Sequence, residues 1–168
     1  VDIKYLDVNY KLEPIYKGKK FFIRTYGCQM NVHDSEEIRK EAYNSDYASD
    51  IFLTGYFPLE SFSRLYAGAT ACVFPSVNEG IGMPVLEAMA CGIPVLCSNG
   101  GALTEVGGDV PLYFDSDNIK MIADFMQQII DDKKLAKEKS EASLSRASLF
   151  NWEETVQKTL SLAKNLFN

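Results

Sequence analysis

Residues 74–90 read FPSVNEGIGMPVLEAMA, and the fold of the chain follows from how this stretch is parsed. The run that leads into it, Ala71-Cys72-Val73-Phe74, is apolar without polar alternation and is closed by Pro75-Ser76, which predicts a short buried strand. A loop carrying Glu79, Gly80 and Gly82 follows. Pro84 then suits the first turn of a helix over Pro84–Cys91. Strand, glycine loop and helix start together form a place for an anion, because free backbone N–H groups and the positive end of the helix dipole converge there. Glu79 lies on the loop and Glu87 about one turn into the helix, with seven residues between them, so both are placed to face one crevice.

Extended to Gly101, the segment FPSVNEGIGMPVLEAMACGIPVLCSNGG resembles the donor-site segment of retaining glycosyltransferases with the two-domain GT-B fold, of the group 1 or family 4 type. The resemblance rests on the E-x7-E pair Glu79 and Glu87 together with Gly80, Gly82, Pro84, Ala88, Gly92, Pro94, Val95 and Ser98. It runs on through IFLTGYFPLESFSRLYAGA before this segment and GGALTEVGGDVPLYFD and FNWEE after it, and so covers residues 51–168. It implies an α/β fold, a Rossmann-like doubly wound and mostly parallel sheet flanked by helices, forming one half of a GT-B enzyme. The implied reaction is retaining hexosyl transfer from a UDP- or GDP-sugar, with no metal and no further cofactor. An N-terminal domain of the full-length family member would bind the acceptor.

The resemblance also implies roles for individual residues. Glu79 contacts hydroxyls of the transferred sugar and is the catalytic candidate; its plain reading is a loop acid. Glu87 binds the ribose hydroxyls, which suits a carboxylate that accepts two bonds from a vicinal diol; its plain reading is a solvated or paired acid. Gly80, Ile81, Gly82 and Met83 offer N–H groups to the phosphates and sugar, where ordinary turn glycines are the alternative. Tyr56 and Phe57, after Gly55, flank the base or simply form a hydrophobic corner. His33 reads as an exposed residue near a helix start. Glu105 reads as the cap of its short helix, and Trp152 as the packing anchor of the last one.

Composition sets bounds that agree with this. At 168 residues the chain is long enough for a single domain with a real core, of which residues 1–50 form an atypical N-terminal βα segment. A net charge of −6 argues against non-specific nucleic-acid binding, which needs a basic surface to displace counterions. No apolar run approaches a membrane span in length, and no leader-like segment opens the sequence. Cys28, Cys72, Cys91 and Cys97 lack secreted-scaffold spacing, and the last three sit in apolar contexts that predict buried reduced thiols. The expectation is a cytoplasmic protein, with a peripheral place at the inner membrane as the alternative for the full-length enzyme.

The N-terminal third departs from the family pattern. Residues 1–17 read as an extended lead-in with one edge strand around Ile3–Val8. The strand, glycine and Arg–Lys pair that should neutralise the diphosphate are not found; Lys17, Lys19, Lys20 and Arg24 stand elsewhere relative to any strand end. Instead KKFFIRTYGCQMNVHDSEEI is similar to the N-terminus of radical-SAM tRNA methylthiotransferases, whose cysteine in YGCQMN ligates an iron–sulfur cluster. The two resemblances abut near residue 50, as in a chimera. Physically the segment still suits the sheet. Phe21–Tyr26 has the β-branched and aromatic content of a strand ended by Gly27, and Asp34 or Ser35 caps a helix running to about Ala48. A strand at Ile51–Thr54 completes one right-handed βαβ unit.

The rest alternates regularly: a helix over Leu59–Ala69, the strand at 71–74, a strand at Pro94–Cys97, a short helix at 102–106 and a strand at Leu112–Phe114. Helices follow at Ile119–Ile130, opened by Asp117 or Asn118, at Leu135–Ala147, and at Trp152–Leu166, capped by Asn151. Three functions remain beside the donor-binding half of a glycosyltransferase: a nucleotide-binding module without turnover, a folded chimera without activity, and an iron–sulfur methylthiotransferase fragment. The last needs two further cluster cysteines downstream of Cys28 and a C-x3-C-x2-C triplet, and a single thiolate cannot hold a cluster. Anaerobic reconstitution should therefore leave the protein free of iron and sulfide. Near-stoichiometric iron that disappears in Cys28→Ser would refute this.

Overall fold

The computed structural model describes residues 21–23, 40, 44, 50–51 and 59–167. Strands β1 (Phe21–Ile23), β2 (Ala71–Phe74), β3 (Val95–Ser98) and β4 (Leu112–Phe114) lie side by side in that order, every pairing parallel. Parallel neighbours need a crossover, and helices supply it. Helix α1 (Leu59–Ala67) leads into β2, α2 (Met83–Ala90) joins β2 to β3, and α3 (Leu103–Gly107) joins β3 to β4. Helices α4 (Ile119–Asp131), α5 (Lys133–Ala147) and α6 (Trp152–Phe167) follow.

Strands β2 and β3 are buried at every position, which is why their sequences are apolar without alternation. The strand period nevertheless sorts their side chains into two cores. Cys72, Phe74, Val95 and Cys97 meet Tyr66 of α1, Val85, Ala88 and Met89 of α2, Leu103 and Val106 of α3 and Ala147 of α5. On the opposite face Ala71, Val73, Leu96 and Phe114 meet Ile129 and the apolar stripe Met121, Ile122, Phe125 and Met126 of α4. Helices thus cover both faces of the sheet, as the alternation of elements predicts.

Local chemistry sets the helix ends. Asn118 opens α4, its Oδ1 accepting from the Met121 N–H at 3.0 Å, and Asp132 opens α5 by accepting from the Lys134 and Leu135 N–H groups at 3.0 and 2.9 Å. Helix α5 therefore begins at Lys133, two residues before the expected Leu135. Its inner face packs against α2, where Ser140 Oγ donates to the Gly92 carbonyl at 2.5 Å. Further along, Lys139 Nζ donates to the Val110 carbonyl at 2.7 Å, and Arg146 donates to the Val106 and Glu105 carbonyls at 2.9 and 2.6 Å. Arg146 thus satisfies carbonyls that the end of α3 leaves open, and Lys139 one on the loop after it.

The elements expected at 34–48 and 51–54 lie outside the described residues, apart from Lys40 and Asn44, which are helical, and Ile51, which stands outside regular structure. One expectation is corrected. Trp152 does not anchor α6: its side chain is 77% exposed, and Val156, Leu160 and Leu166 on the same helix are exposed as well. Asn151 opens that helix as expected, accepting from the Glu154 N–H at 2.7 Å, so the cap forms without help from the tryptophan.

The thiol of Cys97 is fully buried in β3. Burial, and then the neighbouring Cys72, push its pKa from 9.0 up to about 12. The hydroxyl of Tyr113, its partner across β4, rises from 10.0 to about 12, chiefly through burial and then through Cys97. Both groups hold a proton in the folded chain that the unfolded chain gives up, so their contribution to stability is intact below pH 9 and falls as pH rises from 9 toward 12. Denaturant titrations should show constant stability from neutral pH to 9, then a decline of at most about 1.4 kcal/mol per pH unit from Cys97. In Cys97→Ala the decline above pH 9 should be shallower, with Cys91 and Tyr113 carrying what remains; an unchanged profile would refute the assignment.

Candidate functional site

At the C-terminal ends of β2 and β3 two loops meet backbone to backbone. Ser98, the buried last residue of β3, donates its hydroxyl to the Ser76 carbonyl on the β2 loop. The Ala102 N–H donates to the Glu79 carbonyl at 2.9 Å. The approach leaves no room for side chains between the loops. A Cβ on Gly100 would lie 2.0 Å from the Val77 carbonyl oxygen, and one on Gly101, at φ +58°, would lie 2.4 Å from the Glu79 carbonyl oxygen. Gly82 closes the corner at φ +79°, with Leu103 of α3 packed where its Cβ would stand. The glycines at 82, 100 and 101 are thus required by the fold itself.

Gly80 is different. Its φ is ordinary, and a Cβ there would meet nothing within 4 Å. Beside it the Glu79 side chain is half-buried, and its Oε1 accepts from Ser76 Oγ at 2.7 Å. Gly82 is the N-cap of α2 and gives no side-chain cap, while its carbonyl accepts from the Val85 and Leu86 N–H groups at 3.0 and 3.3 Å. The N–H groups of residues 80–83 make no hydrogen bond to another described residue. They and the dipole of α2 define an electropositive corner on a chain of net charge −6. Ile81 and Met83 stand exposed at its mouth.

Glu87 sits one turn into α2, half-buried, and its Oε2 accepts from the hydroxyl of buried Tyr66 on α1 at 3.4 Å, a long contact. The thiol of Cys91 one turn further is pushed up by burial and then by the Glu87 carboxylate. The expected residues Glu79, Gly80, Ile81, Gly82 and Met83 therefore share one corner, with Glu87 beside it on a separate support. Tyr56 and Phe57, with Gly55, lie outside the described residues, as do Cys28 and His33. Glu105 is corrected: Ala102 is the N-cap of α3 and makes no side-chain cap bond, and what Glu105 contributes is a backbone carbonyl to Arg146. Among the described residues no group of three or more His, Cys, Asp or Glu side chains could hold a metal ion.

Two residues of this site were not singled out from the sequence. Ser76 carries a local signal, since it stands three residues before Glu79, a spacing at which serine and glutamate side chains reach each other. Tyr66 carries none: it is 21 residues from Glu87 in the chain, and only the packing of α1 on α2 brings the two together.

Comparison with known proteins places the chain by family and fold. Residues 11–146 match the protein family described as Glycosyl transferases group 1, and the match takes in the N-terminal segment that the sequence pattern sets apart. The chain is 39% identical over 112 residues to the O-antigen chain mannosyltransferase B of Escherichia coli, covering 67% of this chain and 29% of the relative. Among solved structures, the sucrose-phosphate synthase of Thermosynechococcus elongatus superposes with a TM-score of 0.69 at 28% identity, covering 88% of this chain and 38% of that one. The C-terminal domain of a glycosyl transferase group 1 family protein from Francisella tularensis superposes with a TM-score of 0.63 at 22% identity, covering 73% of this chain and 64% of that one, and so supports the fold. The chain thus spans under a third of the length of the curated relatives it matches most strongly.

The glycine map gives a direct test. Gly101→Ala should cost about 1–3 kcal/mol in urea denaturation from backbone strain alone, before the contact with Glu79 is counted. Gly80→Ala should stay within about 0.5 kcal/mol of the parent. Equal losses would mean that the two loops do not meet as described.

Proposed function

The chain belongs to the Glycosyl transferases group 1 family, and from that premise we propose that it binds the nucleotide-diphosphate sugar donor of a retaining hexosyl transfer. The observation that carries the proposal is the corner at the start of α2, where the N–H groups of residues 80–83 are unclaimed by the described residues and a carboxylate is held on either side. Those N–H groups and the helix dipole receive the diphosphate. Glu79 accepts from hydroxyls of the transferred sugar, and Glu87 from the ribose diol. Gly80 fits this reading well. Neither backbone conformation nor internal packing requires glycine there, so the open space above it is available to the sugar.

In the transfer itself the sugar leaves the diphosphate with retention of configuration. The protein's contribution is to stabilise charge on the departing diphosphate with backbone dipoles and to orient the sugar through Glu79, a strategy that needs neither a protein nucleophile nor a metal. The hydroxyl that receives the sugar would be held by a second domain across the cleft. The donor is a UDP- or GDP-sugar, and a mannosyl group is in keeping with the name of the mannosyltransferase relative.

The chain alone binds donor without transferring it. Orientation of two reactants across a cleft can supply about 7–11 kcal/mol of barrier lowering, and one half of a cleft forfeits most of it. Calorimetric titration with GDP-mannose and UDP-glucose should give high-micromolar affinity for one of them, about −5 to −6 kcal/mol. Glu87→Gln should weaken it by about 1.5–3 kcal/mol. Incubation with radiolabelled donors and an acceptor mixture should give no turnover above hydrolysis. Undiminished binding by Glu87→Gln would refute the ribose role, turnover abolished by Glu79→Gln would refute inactivity in isolation, and no binding by the parent would favour a folded module without this activity.

A further inference from the structure

The carboxylate of Glu79 is fixed before any ligand arrives. Its backbone carbonyl takes the Ala102 N–H at 2.9 Å, and the glycine pair at 100–101 holds that contact without slack. Its side chain takes the Ser76 hydroxyl on Oε1 at 2.7 Å, the one hydrogen bond this carboxylate makes to a described side chain. Ser76 is itself fixed, because its carbonyl accepts from buried Ser98. A chain of contacts thus runs from the end of β3 through Ser76 to a single oxygen of Glu79. A free glutamate has three side-chain torsions to immobilise when it meets a ligand, and here the cost is met in folding. A serine hydroxyl is also a neutral donor with a single proton, so it orients the carboxylate without cancelling its charge and leaves the second oxygen unengaged by it.

We infer that Ser76 is a positioning residue of the donor site: its hydroxyl holds Glu79 Oε1 so that Oε2 is the oxygen offered to a hydroxyl of the transferred sugar. This rests on the donor-binding reading given above, and it concerns the sugar half of the donor alone. The nucleotide half meets the start of α2 and Glu87, neither of which touches Ser76 in the described contacts.

That separation supplies the test. The intact chain and its variants are titrated with GDP-mannose and UDP-glucose, and in parallel with GDP and UDP, which lack the sugar. Ser76→Ala should weaken the sugar nucleotide about three- to tenfold while leaving the bare diphosphate within error of the parent. Ser76→Thr, which keeps the hydroxyl, should restore the parent value. In the background of Glu79→Ala, Ser76→Ala should cause no further loss. The inference is overturned if Ser76→Ala leaves sugar-nucleotide binding unchanged, or if it weakens GDP or UDP as much as the sugar nucleotide, which is what a merely structural loop residue would do. It is equally overturned if the effect persists without Glu79. Failure of the parent to bind either diphosphate or sugar nucleotide would instead bring down the donor-site reading, and Ser76 with it. Binding of both with equal strength would remove the sugar contact and leave the nucleotide half standing.

Discussion

The close approach of the loops after β2 and β3 is the constraint on which the rest of the site depends. Two neighbouring parallel strands deliver their C-terminal ends side by side, but they do not by themselves bring the following loops into contact. Here the second loop runs so near the first that Gly100 and Gly101 have no space for a Cβ against Val77 and Glu79. The Ala102 N–H then reaches the Glu79 carbonyl, and Ser98 reaches that of Ser76. Removal of a side chain is normally a loss of packing and of order. In this corner it is what allows one backbone to act as the scaffold of the other, and a backbone moves less than a side chain.

A second layer of support lies behind the corner. Helix α2 must point its N-terminus at the crevice, and its orientation is set by α5, which lies against it, shares a core with it through Ala147 and bonds Gly92 through Ser140. The same helix reaches α3 through Arg146. Helix α3 is only five residues long, and the Arg146 cation at its open carbonyls adds to the restraint that buried Leu103 and Val106 give it. Its Leu103 fills the space beside Gly82. One largely polar helix thus braces both helices that border the crevice.

Much of this is legible in the sequence, and the parts that are not share a cause. The strand at 71–74, the helix opened by Pro84 and the strand at 112–114 are readable because their apolar runs are short, unbroken and bounded by proline, glycine or aspartate. The two-sided burial of β2 and β3 follows from the same runs. Glu79 and Glu87 are visible through their spacing around the glycines. What spacing alone does not convey is which hydroxyl holds which carboxylate. Tyr66 meets Glu87 through the packing of two helices, and the Arg146 contacts to α3 span some 40 residues of chain. The glycines show the limit well. Gly80, Gly82, Gly100 and Gly101 look alike in the sequence, yet three are demanded by close approach or positive φ and one is not. Trp152 fails for a related reason, since a large aromatic at a helix start is a packing anchor only when something lies beside it, and here it faces outward.

An acidic chain whose proposed ligand is a diphosphate presents an apparent conflict, and the geometry resolves it locally. Net charge governs encounter at long range, but that field is screened within about 8–10 Å at ordinary ionic strength. At contact distance the start of α2 offers N–H groups and a dipole end, which attract an anion without adding a formal charge. The nearby acids would repel that anion if they were aimed at it. Instead Glu79 is held from the side by Ser76 and Glu87 by Tyr66, both neutral donors. A lysine or arginine in either position would compete with the ligand's own hydroxyls for the carboxylate and would blunt its strength as an acceptor. On Glu79 the neutral hydroxyl fixes direction and leaves charge intact. On the donor-binding reading, this is what lets Glu79 serve the sugar while, among the described residues, the start of α2 offers the phosphates its backbone N–H groups.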